Sequence, residues 1–269
     1  MDLGLLNKRA LVLGASRGLG QGIAEQLAAE GAHVALCGRK GNAMRTQARD
    51  LESRTGRMAR GYEVDLSEAT AVAKLIMEVE KDFSGIDIVI NNGGGPPPGA
   101  IADADLKIIE KQFRPIVVSQ IEIASAFLPG MRERGWGRIL IISSSGAIQP
   151  IPGLGISNTL RSSLLGWAKT LATEVASDGI TVNAIIPGRI HTDRVNSIDV
   201  NAATLSNNGD WFKVSNVSNS EKLEAKDVDG ICYWYSPAVN IVDYKSVSLS
   251  LKASESGFLE NNDIFYSIE

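Results

Sequence analysis

Several residue types that define large classes of protein are scarce in this chain of 269 residues. The two cysteines, Cys37 and Cys232, are too few for a disulfide framework, and with two histidines they form no zinc-ligand spacing. No apolar run reaches the length of a membrane span, and the N-terminus does not resemble a secretory signal. A net charge of −4 leaves no basic surface for nucleic acid. We therefore expect a soluble, cytoplasmic protein without metal, membrane or nucleic-acid partners.

Arginine is absent from the last 69 residues, which hold four of the five tyrosines and many serines and asparagines. Such a break in composition marks an appendage or foreign sequence. We therefore predict one domain over residues 1–200 and an atypical segment over residues 201–269. Within that segment, Tyr244 to Leu251 alternates between polar and apolar residues, which predicts an isolated strand that fills a vacant edge of the main sheet.

Short runs rich in valine and isoleucine alternate with segments of helical period over the first 190 or so residues, which is typical of βαβ units. Apolar stripes at helical spacing predict the intervening helices, one of them from Leu106 to Leu128. The fold class is therefore α/β: a doubly wound parallel sheet (Rossmann), three-layer and single-domain, with its ligand crevice beyond the strand ends. The predicted strands are Ala10 to Gly14, His33 to Cys37, Gly61 to Val64, Ile86 to Asn91, Arg138 to Ser143 and Thr181 to Ile186.

A glycine cluster joins the first strand to the first helix. Backbone that passes close to a pyrophosphate needs positions without Cβ, and a helix N-terminus supplies free N–H groups there. A tight strand-to-helix turn is the simpler explanation, but the placement of the cluster favours dinucleotide binding. The expected binding residues are Gly14, Ser16, Arg17, Gly18, Leu19 and Gly20.

The second strand indicates which dinucleotide is bound. An NAD site usually has an acidic residue near the end of this strand, but no Asp or Glu lies between Gly31 and Arg49. Arg39 and Lys40 stand there instead. Arg17 and Arg39 could pair with a 2′-phosphate, and the alternative is a solvated basic start of a helix. The pattern favours NADP(H).

Further motifs follow in chain order, and with them the chain resembles the short-chain dehydrogenases/reductases, in particular the branch of 3-oxoacyl-(acyl carrier protein) reductases. The spacing G-x-x-x-G-x-G of the glycine cluster is that family's form. The resemblance covers about residues 5 to 195. The other matching motifs are Asp65-Leu66, Asn91-Asn92-Gly93-Gly94, Gly137-Arg138-Ile139, Ser143-Ser144-Ser145 and Pro187-Gly188-Arg189-Ile190-His191-Thr192.

The resemblance implies further cofactor-binding residues: Asp65 and Leu66 near the adenine, Asn91 and Gly93 beside the ribose, and Ile190 and Thr192 near the nicotinamide amide. Each has a simpler explanation. The Asn91 motif could be only a turn that ends a strand, and Asp65 only a helix cap beside Ser67. For the glycine- and proline-rich run 93–99, a stiff surface loop is favoured over a wall of the substrate pocket.

The resemblance also implies a catalytic set: a Tyr as proton donor, a Lys four residues later, a Ser that polarises the carbonyl and an Asn in the preceding helix. With Ser144 at the serine position, the tyrosine position holds Ser157 and the lysine position holds Arg161. Ile116 stands at the asparagine position. The expected catalytic residues are therefore Ser144, Ser157 and Arg161.

These replacements change the expected chemistry. An aliphatic hydroxyl is far less acidic than a phenol, so Ser157 is a poor general acid. Arg161 can hold the ribose and place positive charge near a developing alkoxide, but its guanidinium does not relay protons. The expected function is an NADP(H)-dependent oxidoreductase that reduces a carbonyl or 3-oxoacyl substrate by hydride transfer. A catalytically impaired NADP(H)-binding protein is the alternative.

The resemblance further implies a small-molecule carbonyl or alcohol as the substrate and a homodimer or homotetramer as the assembly. It ends soon after Thr192, because the family's usual last helix, seventh strand and Val-Asp-Gly-Gly ending have no counterpart in the sequence. Residues 201–269 are therefore expected not to be homologous to the family.

Overall fold

A six-stranded parallel sheet forms the centre of the fold. The computed structural model describes residues 2–187 and four later strands, 211–217, 220–226, 247–250 and 265–268. The strands of the sheet lie in the order β3-β2-β1-β4-β5-β6, and every neighbouring pair is parallel. All six predicted strands are confirmed, with bounds within two residues of those expected. They are β1 (Arg9–Val12), β2 (His33–Gly38), β3 (Ala59–Glu63), β4 (Ile88–Asn91), β5 (Gly137–Ile142) and β6 (Ile180–Ile185).

Residues 2–187 form six α-helices, and five of them bury side chains against the two faces of this sheet. On one face the buried side chains of α1 and α2 pack together, and on the other those of α3, α5 and α6 form a second core. This arrangement confirms the doubly wound, three-layer prediction. The helices are α1 (Gly18–Ala29), α2 (Gly41–Thr55), α3 (Ala69–Phe83), α4 (Leu106–Phe113), α5 (Ser119–Glu133) and α6 (Gly155–Val175).

The alternation of side chains in β1 explains why both cores exist. Ala10 and Val12 point into the core beneath α1 and α2, while Leu11 and Leu13 point into the opposite core. All four are fully buried, so the chain from Ala10 to Leu13 is apolar, as expected for a parallel strand covered on both sides.

The chain is helical throughout the predicted range Leu106 to Leu128, but a π-helical turn, Arg114–Val118, lies between α4 and α5 and changes the hydrogen-bond pattern there. Within this turn the amide of Ser119 donates to the carbonyl of Arg114, five residues earlier. Pro115 supplies the physical reason, since it has no N–H for the α-helical ladder and its ring clashes with the preceding turn. The periodicity of the apolar residues does not report this local change.

Two antiparallel strand pairs lie in the last part of the chain. Strand β7 (Trp211–Val217) pairs with β8 (Ser220–Lys226), and β9 (Val247–Ser250) pairs with β10 (Phe265–Ile268). The strand predicted within Tyr244 to Leu251 is therefore present, but it belongs to a two-stranded sheet and does not extend the main one. Contacts divide the chain into two compact units, Met1–Asn208 and Gly209–Glu269. Within the described ranges no helix has both the length and the apolar character needed to cross a bilayer.

Candidate active site

Three segments meet at the carboxyl edge of the central strands: the glycine loop after β1, the run of glycines and prolines after β4, and the serines after β5. In doubly wound folds ligands bind at this edge. Most of the residues singled out in the sequence lie in these segments or in the helices that follow them.

The glycine loop is packed tightly against itself and against the loop after β4. A Cβ on Gly20 would overlap the carbonyl oxygen of Gly14 and lie 2.7 Å from the side-chain amide nitrogen of Asn92. That amide donates to the Gly14 carbonyl at 3.4 Å. The backbone of Gly14 has a φ of +61°, which L side chains rarely adopt. These two glycines are therefore required for the loop to close.

The N-terminus of α1 behind this loop is open to an anion. Arg17 precedes the helix in an extended conformation, and its side chain does not cap the first turn. No acidic residue lies in that turn. Gly14, Ser16, Arg17 and Gly18 are exposed. Uncapped N–H groups and the positive end of the helix dipole favour a phosphate here.

The end of β2 places a cation beside this loop. Gly38 is buried, and Arg39 directly after it is exposed. Asp65, after β3, accepts hydrogen bonds from the amide and the hydroxyl of Ser67, at 2.9 and 2.7 Å. These bonds, together with the nearby charge of Arg39, lower the pKa of Asp65. Arg39 and Asp65 therefore lie close together at the β2–β3 side of the site.

Asp65 forms a turn and does not cap the following helix. Its carboxylate accepts both bonds from Ser67, whereas the residue that precedes α3 is Glu68. Leu66 is half-buried and packs against the core, and its carbonyl accepts a bond from the Ser119 hydroxyl at 2.7 Å. The side chain of Asp65 therefore faces solvent while that of Leu66 faces the protein.

Asn91 and Gly93 lie against α5. Asn91 is fully buried, and its amide nitrogen donates to the carbonyl of Gln120 at 3.2 Å. A Cβ on Gly93 would overlap the side-chain amide of Gln120. The amide oxygen of Asn91 has no hydrogen-bond partner within residues 2–187. This motif is thus a packed junction between β4 and α5 as well as the end of a strand.

Ser144 begins a short 3₁₀ turn, Ser145–Ala147, after β5. Ser144 is half-buried, and its hydroxyl oxygen accepts from the amide of Gly146 at 3.2 Å. Helix α6 packs on this turn, because the hydroxyl of Ser162 donates to the carbonyl of Ala147 at 3.0 Å. The turn fixes Ser144 at the carboxyl edge of the sheet.

Ser157 and Arg161 stand one turn apart on α6 and so share a face of the helix. Ser157 is 8% exposed. Arg161 reaches the sheet edge, where its guanidinium donates to the carbonyls of Ile142, at 3.0 Å, and Gly94, at 3.3 Å. It thereby joins the end of β5 to the loop after β4, and positive charge lies next to the serines 143–145.

The glycine- and proline-rich loop 93–99, for which a stiff surface loop was favoured, lies beside Arg161 and is held by several contacts. Pro96 is buried, and Gly99 forms a parallel bridge with Leu154 just before α6. The amide of Gly99 donates to Gly153 at 2.6 Å, and the amide of Gly155 donates to Gly99 at 3.1 Å. With the bond from Arg161 to Gly94, both ends of the loop are tied down.

Two expected cofactor residues, Ile190 and Thr192, lie outside the described residues. The sequence analysis also missed two side chains that hold the glycine loop, Asn92 and Gln47; the latter donates to the carbonyl of Ser16 at 3.0 Å. Asn92 stands within a quoted motif, and Gln47 is a polar residue at the border of the buried stripe of α2. In the part of the chain that the structure describes, no group of three His, Cys, Asp or Glu side chains could hold a metal ion.

Tyr62 is the one tyrosine in the first 200 residues of the sequence. It lies on β3, which three strands separate from β5 and the serines that follow it. It lies buried on β3, and its hydroxyl donates to Asp82 at 2.6 Å. Burial, together with the Asp82 carboxylate, raises its pKa. This phenol therefore lies away from Ser144 and is already bound to another side chain.

Comparison with known proteins agrees with this architecture. The family model for short chain dehydrogenases matches residues 8–203. The chain is 35% identical to dehydrogenase/reductase SDR family member 4 of Sus scrofa over 190 residues, 70% of this chain and 68% of the relative. It is 32% identical to the 3-oxoacyl-[acyl-carrier-protein] reductase FabG of Aquifex aeolicus over 193 residues, 72% of this chain and 78% of the relative.

Among solved structures, the L-sorbose reductase of Gluconobacter frateurii in complex with NADPH and L-sorbose matches with a TM-score of 0.71 and 34% identity. The match covers 78% of this chain and 79% of the reductase. The chain thus belongs to the short-chain dehydrogenase/reductase family. Its similarity to 3-oxoacyl reductases supports the branch that the motifs indicated.

Proposed function

We propose that this protein binds NADP(H) and reduces a carbonyl or 3-oxoacyl substrate by hydride transfer. The observation that carries the proposal is the uncapped N-terminus of α1 behind a closed glycine loop, with Arg39 at the adjacent strand end and no acidic residue between Gly31 and Arg49. The NADPH complex of the similar L-sorbose reductase supports the choice of dinucleotide.

The residues present fit a dinucleotide. The N–H groups at the start of α1 would hold the pyrophosphate, because they point out of the helix and the dipole favours an anion there. Gly14, Gly18 and Gly20 let the backbone approach that group without Cβ atoms in the way. Arg17 and Arg39 would bind the 2′-phosphate through charge-assisted bonds. Asp65, Leu66, Asn91, Gly93, Ile190 and Thr192 are the proposed further contacts.

The bound dinucleotide would supply the hydride, and the chain would supply the surroundings of the carbonyl. Ser144, at the end of β5, would hydrogen-bond the substrate oxygen. Arg161 would hold the nicotinamide ribose and stabilise negative charge that develops on that oxygen. Ser157 is a poor acid, so the proton would come from water or from the substrate itself.

One observation favours a second candidate function, an NADP(H)-binding protein of impaired catalysis. The position at which the family carries its proton donor holds Ser157, which is 8% exposed, and Arg161 already bonds two backbone carbonyls. Such a site would keep its binding parts and lose the proton transfer that contributes about 10²- to 10⁴-fold to catalysis.

Titration of the protein with NADPH and NADH, followed by fluorescence, separates these functions when it is combined with a hydride-transfer assay on the same sample. The assay panel contains ketones and 3-oxoacyl thioesters. Tight NADPH binding with turnover supports the reductase, and tight binding without turnover supports the second candidate. Absence of binding of either dinucleotide contradicts both.

Replacing Arg39 by aspartate is expected to weaken NADPH binding about tenfold or more and to change NADH binding little. The reason is that a charge-assisted bond to the 2′-phosphate is replaced by repulsion, while NADH has only a hydroxyl at that position. The measurement is the dissociation constant of each dinucleotide. Lys40→Asp, one residue further along, is the control for a general change of charge. Equal losses for NADPH and NADH in Arg39→Asp would contradict the assignment.

A further inference from the structure

Gln47 connects helix α2 to the glycine loop. It lies beside the buried stripe Met44, Ala48 and Leu51, at the border between the core and solvent. Its side-chain amide nitrogen donates to the carbonyl of Ser16 at 3.0 Å, across 31 residues of chain. This bond is separate from the loop's contact with β2, in which the amide of Ala15 donates to the carbonyl of Cys37 at 2.9 Å.

The bond fixes the plane of the peptide group between Ser16 and Arg17. In a trans peptide the C=O and the N–H point in opposite directions. With the Ser16 carbonyl held towards α2, the N–H of Arg17 is turned away from α2. Arg17 is the residue that precedes α1, so the same peptide also sets where its side chain leaves the loop.

The side-chain amide of Gln47 would lower the stability of the fold if its only role were packing. Its oxygen is buried and has no hydrogen-bond partner among residues 2–187. Leaving a buried acceptor unpaired is unfavourable, whereas an apolar side chain of similar shape at this border would avoid that cost. What the amide provides in return is a donor to the Ser16 carbonyl.

We infer that Gln47 is a positioning residue for dinucleotide binding, which acts by holding the Ser16–Arg17 peptide in the orientation that presents this loop to the pyrophosphate and the adenosine ribose. The inference rests on the proposed function. Because the peptide serves the pyrophosphate, which NADPH and NADH share, loss of the Gln47 bond weakens the binding of both dinucleotides. It differs in this from Arg39, which distinguishes them.

The test compares Gln47→Met with Gln26→Met, an exposed glutamine on α1 that serves as the matched control. Methionine keeps the length of the side chain and the helix propensity but removes the donor. We expect Gln47→Met to weaken the binding of both NADPH and NADH by about fivefold to tenfold, since one hydrogen bond is lost. The thermal midpoint of the ligand-free protein is expected to stay within about 2 °C in both variants.

A second variant, Gln47→Glu, gives a readout that a purely structural role would not move. The ionised carboxylate has no donor for the Ser16 carbonyl, whereas the protonated form has one. The affinity of this variant for NAD⁺, relative to the unchanged protein at the same pH, is expected to recover about threefold as the pH falls from about 7.5 to about 5. NAD⁺ is the probe because it is stable in acid and has no 2′-phosphate to titrate.

The outcomes distinguish this inference from the function on which it rests. Failure of the unchanged protein to bind either dinucleotide overturns both. Binding by the unchanged protein with the same affinities in Gln47→Met overturns the inference alone. A fall in thermal midpoint without a loss of affinity, or no recovery of Gln47→Glu at low pH, also overturns it, because Gln47 would then be a packing residue.

Discussion

Replacing Gly20 by alanine is expected to weaken NADPH binding at least about 100-fold, the size of effect that a displacement of about 1 Å at a site can have. The new methyl group would overlap the Gly14 carbonyl and lie 2.7 Å from the amide nitrogen of Asn92. Neither neighbour can yield without opening the loop, because one is backbone and the other bonds that same carbonyl at 3.4 Å. The N–H groups at the start of α1 would then lose their alignment. Fluorescence titration measures the effect.

Gly22→Ala is the matched control for this change. It places the same methyl group on the same helix two residues later, where nothing lies within 4 Å. Because alanine favours a helix over glycine, this variant is expected to be more stable by about 0.5 to 1 kcal/mol with unchanged NADPH affinity. If Gly20→Ala binds NADPH as tightly as Gly22→Ala does, the loop is not the pyrophosphate site.

Replacing Asp87 by asparagine is expected to lower the free energy of unfolding by about 3 kcal/mol, because it leaves partly buried guanidinium groups without their counter-charge. The Asp87 side chain is 7% exposed. It accepts from the backbone amide of Arg9 at 3.0 Å, from the Arg9 guanidinium at 2.8 and 2.7 Å, and from the Arg134 guanidinium at 2.8 Å. Urea unfolding at neutral pH measures the loss, and Asp50→Asn, in an exposed pair with Arg54, is expected to cost less than about 0.5 kcal/mol.

The pH dependence of this difference follows from the pKa of Asp87. Burial raises that pKa, but the hydrogen bonds from Arg9 and the charges of Arg9 and Arg134 outweigh burial and hold it below its ordinary value. The carboxylate therefore contributes its full stability above an unfolded-state pKa of about 4 and loses it as the pH falls through the folded-state pKa. The difference in the free energy of unfolding between the unchanged protein and Asp87→Asn is expected to decrease below about pH 4. If this difference in the free energy of unfolding stays constant down to pH 3, the charge of Asp87 does not cause it.

The sheet could be predicted from the sequence because its inner strands β1, β2 and β4 are buried and almost entirely apolar. Their bounds shifted by up to two residues, since apolar residues continue into the turns at either end. The π-helical turn between α4 and α5 could not be predicted, because the apolar stripe continues through Pro115 while the hydrogen-bond pattern changes. The pairing of β9 with β10 depends on contacts between distant segments, which alternation within one strand does not reveal.

The candidate site divides in the same way. The glycine loop could be found because the residues that must be glycine, at positions 14, 18 and 20, lie within seven residues of the sequence. The position of Arg161 could also be found, but not its partners, which lie 19 and 67 residues away in sequence. The bond from Gln47 to Ser16 and the packing of Asn91 on Gln120 likewise become visible only once the sheet has brought the segments together.

The contacts that hold the loop 93–99 at both ends have a thermodynamic consequence. This loop contains three prolines, its end is bridged to Leu154, and its beginning accepts a bond from Arg161. Its conformational freedom is therefore lost when the chain folds and not when a small molecule arrives, so ordering of this wall adds little entropic cost to binding. The shape of this loop is set before any encounter, and a substrate of the proposed function would have to match it as it stands.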